Sequence, residues 1–155
     1  MKLEGKNIIR ANRDAVWQSL NDPKILAKAI PGCQEMNLTA ESLYAGVVKL
    51  GIGPVKGSYT FTVTVTESIP PVSCELHFEG KGLRGFTKMT SPIRLNALSE
   101  NVTEVSWQGS GEVGGPLAAA GDRILIGISR MLIKQFFNTL ENEIRAGDSH
   151  EAGSF

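Results

Sequence analysis

This 155-residue sequence has few cysteines, few histidines, no surplus of charge of either sign and no long apolar run. Each shortage closes a class of function. Two cysteines, Cys33 and Cys74, are too few for a disulfide framework and read as reduced thiols. The histidines are His77 and, in the tail, His150. Cys74 and His77 stand three apart on a strand and point to opposite faces, so a zinc site is not expected. Sixteen Lys and Arg balance sixteen Asp and Glu. That balance argues against nucleic acid or an anionic membrane as the main partner, and leaves a local patch open. No segment approaches the ~20 apolar residues that span a bilayer, and the charged start over 1–6 does not read as a secretory signal.

Glycine is in surplus: seventeen residues, about 11 % of the chain against a typical ~7 %. They stand singly or in pairs, as expected where strands bend or where backbone leaves room for something else. The 41 % hydrophobic content is ample for one core. A chain of this size buries roughly 70 % of its unfolded surface. Neither an internal repeat nor a domain boundary is visible. Residues 1–146 read as one domain and 147–155 as a disordered tail.

Residues 3–10 open as a strand. Asn12 can cap a helix over 13–20, with Asp14 in its first turn. Asp22-Pro23 opens a second short helix over 23–30, which Pro31-Gly32 stops. From Leu43 the period changes to two. Strands are expected over 43–50, 58–67, 72–80, 86–98 and 102–113. Tyr59, Phe61, Val63 and Val65 alternate with Thr60, Thr62, Thr64 and Thr66, giving one apolar face and one hydroxyl face. Cys74, Leu76 and Phe78 alternate with Glu75, His77 and Glu79 in the same way. A final helix is expected from Gly114-Gly115-Pro116 to about Ala146, some 30 residues or ~45 Å. Its polar stripe is Arg123, Arg130, Lys134, Asn138, Glu141 and Arg145, which reads as a solvated face. Apolar residues, with Ile126, Ile133, Phe137 and Ile144 at the margin, take about two-thirds of the circumference. That is well above the ~100° needed to lie on a sheet. The helix therefore needs cover on more than one side. The expected class is α+β: a curved antiparallel sheet of six to seven strands around a long C-terminal helix, with two short helices after strand 1.

Motifs for chemistry are present only in outline. Gly109-Ser110-Gly111-Glu112-Val113-Gly114 matches the dinucleotide fingerprint, but that fingerprint needs a parallel strand after its helix, and the sequence ends with the helix. The segment 51–57 is not a phosphate loop, because its Lys56 precedes the glycine. Glu75, His77 and Glu79 could do acid–base work from one strand face, yet their alternation with apolar residues reads as a solvated outer face. No catalytic residue, cofactor or metal is expected.

Three clusters carry a resemblance. They are Trp17 with 20–23 (LNDP) and 30–33 (IPGC); 49–57 (KLGIGPVKG); and 114–118 (GGPLA) with the later Gln135-Phe136-Phe137. Together they resemble the carbon monoxide dehydrogenase CoxG-like family of the START/Bet v 1-like (SRPBCC) superfamily, over about residues 1–145. The resemblance implies a helix-grip fold enclosing a mostly apolar cavity. It implies no enzymatic activity of its own, and a role beside a CO dehydrogenase-type molybdenum hydroxylase where electrons enter the quinone pool. The implied ligand is a quinone, or a prenyl or acyl lipid. Longer family members add a polar linker and a membrane-binding segment, whereas this sequence stops at Phe155. The expectation is therefore a soluble carrier or docking adaptor, cytoplasmic, with peripheral contact at the inner face of the membrane and no nucleic-acid partner.

Within such a fold the expected cavity lies between the sheet's inner face and the long helix. Its candidate lining is Tyr44, Val48, Tyr59, Phe61, Val63, Leu76, Phe78, Ile93, Leu95, Trp107, Leu125, Ile128, Leu132 and Phe136. Tyr44 or Tyr59 would supply a polar handle. The mouth is expected near 26–30, 51–57 and 82–85. Each buried CH₂ contributes ~0.8 kcal/mol, so a chain of about ten carbons could bind with micromolar affinity. Two other classes stay open. A pure protein adaptor would expose the Ile126, Ile133, Phe137 side of the helix and have no cavity. A small-molecule enzyme of the same superfamily would need ionisable groups converging inside.

Overall fold

A seven-stranded antiparallel sheet curls around one long helix in a computed structural model that describes residues 1–153, with side chains as far as Gly147. The strands are β1 (Lys2–Ile9), β2 (Cys33–Ala40), β3 (Leu43–Leu50), β4 (Gly57–Ile69), β5 (Ser73–Gly82), β6 (Gly85–Ser99) and β7 (Val102–Gly114). Their order across the sheet is β1-β7-β6-β5-β4-β3-β2. Helices α1 (Arg13–Leu20) and α2 (Pro23–Ala29) follow β1, and α3 (Asp122–Gly153) follows β7. This is the helix-grip arrangement that the sequence predicts.

The two short helices begin where their caps place them. The Asn12 side chain accepts from the Asp14 amide at 2.8 Å, and the Asp22 carboxylate accepts from the Lys24 amide at 2.9 Å. Each satisfies a donor that the first helical turn leaves free. The inner face of β4 keeps its alternation, with Tyr59 and Phe61 buried.

Three features differ from the sequence reading. First, β2 is an additional strand. It lies at the sheet edge with a mostly exposed surface, so its residues never had to alternate. Second, the final helix starts at Asp122 rather than Gly114. Residues Gly115–Ala120 form a separate 3₁₀ turn, and Gly121 at φ +84° breaks the chain between the two. Only glycine adopts that angle freely. Third, the α3 backbone continues to Gly153, past the expected end at Ala146. Of the expected tail, 154–155 and the side chains from 148 onward lie outside the described residues.

The main core joins all three helices to the β1-β7-β6 side of the sheet. Ile9, Val16, Leu95, Val105 and Leu140 are at or below 1 % exposure there. Ile126 and Ile133 pack against this core, and Phe137 and Ile144 are buried within it. The side of the helix that an adaptor would expose is thus covered. Arg10 secures α3 to the end of β1: its backbone amide and guanidinium donate to the Glu141 carboxylate at 2.8–3.0 Å.

The glycine surplus has a packing role. A Cβ on Gly5 would strike the Trp107 ring, one on Gly46 the Phe61 ring, and one on Gly82 the Tyr59 ring. Aromatic rings lie down across glycines of the neighbouring strand. What the glycines make room for is, in these places, the protein's own aromatic side chains.

Candidate functional site: an apolar cavity under the short helices

A cavity of about 170 Å³ remains between the short helices, α3 and the inner face of the sheet. From α1 and the residue after it come Trp17, Leu20 and Asn21. Leu26 and Ile30 come from α2 and its end, and Met36 from β2. The sheet contributes Tyr44, Val63, Val65, Cys74, Leu76, Ile93 and Val105, and α3 contributes Phe136 and Phe137. The space lies where α1 and α2 bridge the opening between α3 and the sheet's inner face instead of filling it.

Polar groups are few and weakly ionisable. The Tyr44 hydroxyl donates to the Asn21 carbonyl at 3.3 Å. Burial raises the Tyr44 pKa, and the nearby Asp22 charge raises it further. Burial also pushes the Cys74 thiol up, so it stays protonated near neutral pH. The lining contains no carboxylate, imidazole or amine. The cavity thus offers an apolar wall, one hydroxyl whose lone pairs remain able to accept, and no general base.

Of the residues expected to line a cavity, Tyr44, Val63, Leu76, Ile93 and Phe136 meet in this one. The others lie elsewhere, for identifiable reasons. Tyr59 turns its hydroxyl to the Val55 carbonyl at 2.8 Å. Phe61 stacks on Phe78 with ring centroids 6.2 Å apart. Trp107 lies over Gly5 and donates its indole N–H to Asn7 at 2.8 Å. Leu95 is sealed in the main core. Val48 pairs with Tyr59 across the β3–β4 ladder. Leu125 and Ile128 belong to a second apolar cluster with Val55 and Leu117 at the end of the sheet that carries the β3–β4 and β5–β6 loops. Leu132 lies on α3 between that cluster and the cavity, half-buried. The loops over 51–57 and 82–85 therefore close against the start of α3, and the cavity sits at the other end, beside α2. The residues missed were those of α1, α2 and β2, together with Val65, Cys74 and Val105 of the sheet and Phe137 of α3. The signal was present in the apolar faces of the two short helices and, for Val65 and Cys74, in the inward alternation of their strands.

The remaining motifs are accounted for. Gly109 and Gly111 lie inside antiparallel β7, not at a strand-to-helix turn. On the outer face, the His77 Nε2 atom is 3.2 Å from Glu75 Oε1 and 3.1 Å from Thr66 Oγ1. Both partners reach the same nitrogen, so the group cannot relay a proton from one to the other through the ring. Among the described residues no cluster of His, Cys, Asp and Glu could hold a metal ion. No helix there is long and apolar enough to cross a membrane.

An antiparallel sheet gripping a C-terminal helix, with an apolar hollow beneath two short helices, is a helix-grip fold of the START/Bet v 1-like kind. Solved structures agree. A conserved protein from Geobacillus kaustophilus is 34 % identical with a TM-score of 0.91, covering 94 % of this chain and 96 % of that one. A START superfamily protein from Mycobacterium smegmatis is 12 % identical with a TM-score of 0.73, covering 94 % and 97 %. The Zhui aromatase/cyclase from Streptomyces sp. R1128 is 15 % identical with a TM-score of 0.66, covering 94 % and 93 %. No curated protein sequence matches. The family model for the carbon monoxide dehydrogenase component CoxG matches residues 5–145, and the chain belongs to that family.

Proposed function

We propose that this protein is a non-catalytic carrier for the ring of a quinone or a similar apolar group, and that it assists a CO dehydrogenase-type molybdenum hydroxylase at the membrane. The observation that carries the reading is the cavity: about 170 Å³, apolar on nearly every side, with Tyr44 as its hydroxyl. A cavity near 150 Å³ lined by Leu, Ile and Phe accepts benzene, so this one is the size of a single substituted ring. A fully buried ten-carbon chain does not fit that volume. A prenyl tail would lie outside the cavity or require it to widen. Membership of the CoxG family supports the choice of partner enzyme. The absence of a carboxylate, imidazole or amine in the lining favours carriage over catalysis.

Trp17 lines the cavity, and the second tryptophan, Trp107, does not. In a Trp107→Phe variant, Trp17 is the single indole reporter. Titration with a short-tailed benzoquinone should quench its fluorescence saturably, and Val63→Phe should weaken binding more than tenfold. Linear, collisional quenching that Val63→Phe leaves unchanged would overturn the carrier reading.

A further inference from the structure

Net neutrality hides a separation of charge along the molecule. An antiparallel sheet sends alternate connections to opposite ends. The β2–β3, β4–β5 and β6–β7 turns share one end and carry Glu41, Glu67 and Glu100; the β1–α1 connection at that end adds Arg13 and Asp14, and Arg10, which pairs with Glu141. The β3–β4 and β5–β6 turns and the β7–α3 connection share the other. That end carries Lys49, Lys56, Lys81, Arg84 and Arg123 against Asp122. All five cations are exposed, and none is in an ion pair among the described residues. Lys88 is excluded from the group because it stands between Glu79 and Glu112 across the strands.

The same end presents apolar side chains to solvent. Leu83, at the tip of the β5–β6 turn, is 102 % exposed, the most of any large apolar residue in the described chain, and Ile124 on the first turn of α3 is 52 % exposed. The loops are held as one surface. The Arg84 carbonyl accepts from the Leu117 amide at 2.7 Å, and Val55, Leu117 and Leu125 pack beneath. Leu83 gains nothing for the fold by projecting into water.

We infer that this loop end is a docking surface for an anionic lipid bilayer, with Leu83 entering the headgroup–acyl boundary on the end that carries Lys56, Arg84 and Arg123. Exposed cations on the same end as a protruding leucine match a surface that is negative outside and apolar just beneath. An acidic protein surface would complement the cations alone. It would give a fully projecting leucine nothing to bury against unless it also carried a matching pocket. Docked this way, the cavity beside α2 lies at the end away from the bilayer. The inference does not depend on the cavity's ligand, because none of these residues lines the cavity.

The test is co-sedimentation with vesicles of phosphatidylglycerol and phosphatidylcholine at roughly 3:7, against pure phosphatidylcholine. The protein should sediment with the anionic vesicles at about 50 mM salt and be released at about 500 mM. Lys56→Gln with Arg84→Gln should lower partitioning at least twentyfold, since each cation near such a surface contributes about fivefold. Leu83→Ser should lower it about tenfold while keeping the salt dependence. Glu41→Gln at the opposite end should change nothing. All substituted side chains are exposed, and an unchanged melting curve verifies the fold. Absence of binding to anionic vesicles at low salt overturns the inference and leaves an acidic protein as the occupant. Binding that the loop variants leave intact overturns it as well. Failure of quinone quenching, with vesicle binding retained, would remove the carrier reading alone.

Discussion

Leu125 and Phe136 lie about three turns apart on one face of α3 and meet different surroundings. Leu125 closes on Val55 and Leu117, which two folded-over loops deliver to the start of the helix. Phe136 faces open volume beneath α1 and α2. The sheet curves under both. What differs is the material that covers the helix. Loops can bend until their side chains touch. Short rigid helices span a gap, and their 3.6-residue period presents bulky residues only along one line. A cavity survives where the cover is stiff.

The largest effect that can break this comparison is truncation. Leu125→Ala removes a leucine from the closed cluster and should cost about 2–4 kcal/mol in urea unfolding. Leu76→Ala only widens an existing hollow and should cost about 1–2 kcal/mol, because fewer contacts are lost. Equal costs would mean that the two regions are packed alike. Enlargement gives the next effect, with opposite signs of consequence. Leu117→Phe overfills the loop end and should cost about 1–3 kcal/mol, whereas Val63→Phe enters the hollow and should change stability by less than about 1 kcal/mol. Melting curves of the two variants, measured together, decide the point.

The smallest effect concerns what anchors the cavity end of the helix. Burial alone would raise the Glu141 pKa. The Arg10 hydrogen bonds and charge, with Arg145, outweigh it and hold the carboxyl below its ordinary value. A carboxylate depressed in the folded state stabilises fully above its unfolded pKa and loses that contribution as pH falls through the lower folded value. Stability should therefore decline below about pH 4.5. Arg10 is largely exposed, so solvent screening limits the contribution to about 0.5–1 kcal/mol. In Arg10→Gln the backbone amide still donates to Glu141, so that part of the acid decline should shrink but not vanish. An unchanged pH profile would show that the pair is incidental.

Most of the fold was legible residue by residue. Asn12 and Asp22 announce the short helices through capping oxygens, and Tyr59 to Val65 announce their strand by alternation. Both signals are local, since a cap or a pleat is decided within four residues. β2 escaped because an exposed edge strand has no second face to hide. The cavity was legible only as a set of apolar residues facing inward. Which of them border empty space was not. Tyr59, Phe61 and Trp107 point inward, yet Tyr59 bonds to Val55 in the turn before its strand, while Phe61 stacks on Phe78 and Trp107 lies over Gly5, on strands distant in sequence.

By itself the sequence determined which faces of the strands point inside and where the two short helices start. Only the tertiary structure decided which apolar residues touch each other and which touch a void. It also decided that a neutral chain becomes acidic at one set of turns and basic at the other. The reason is physical. Burial follows from local periodicity, but a void and an electric polarity are properties of the gaps and distances between elements, and those exist only once the sheet has closed around its helix.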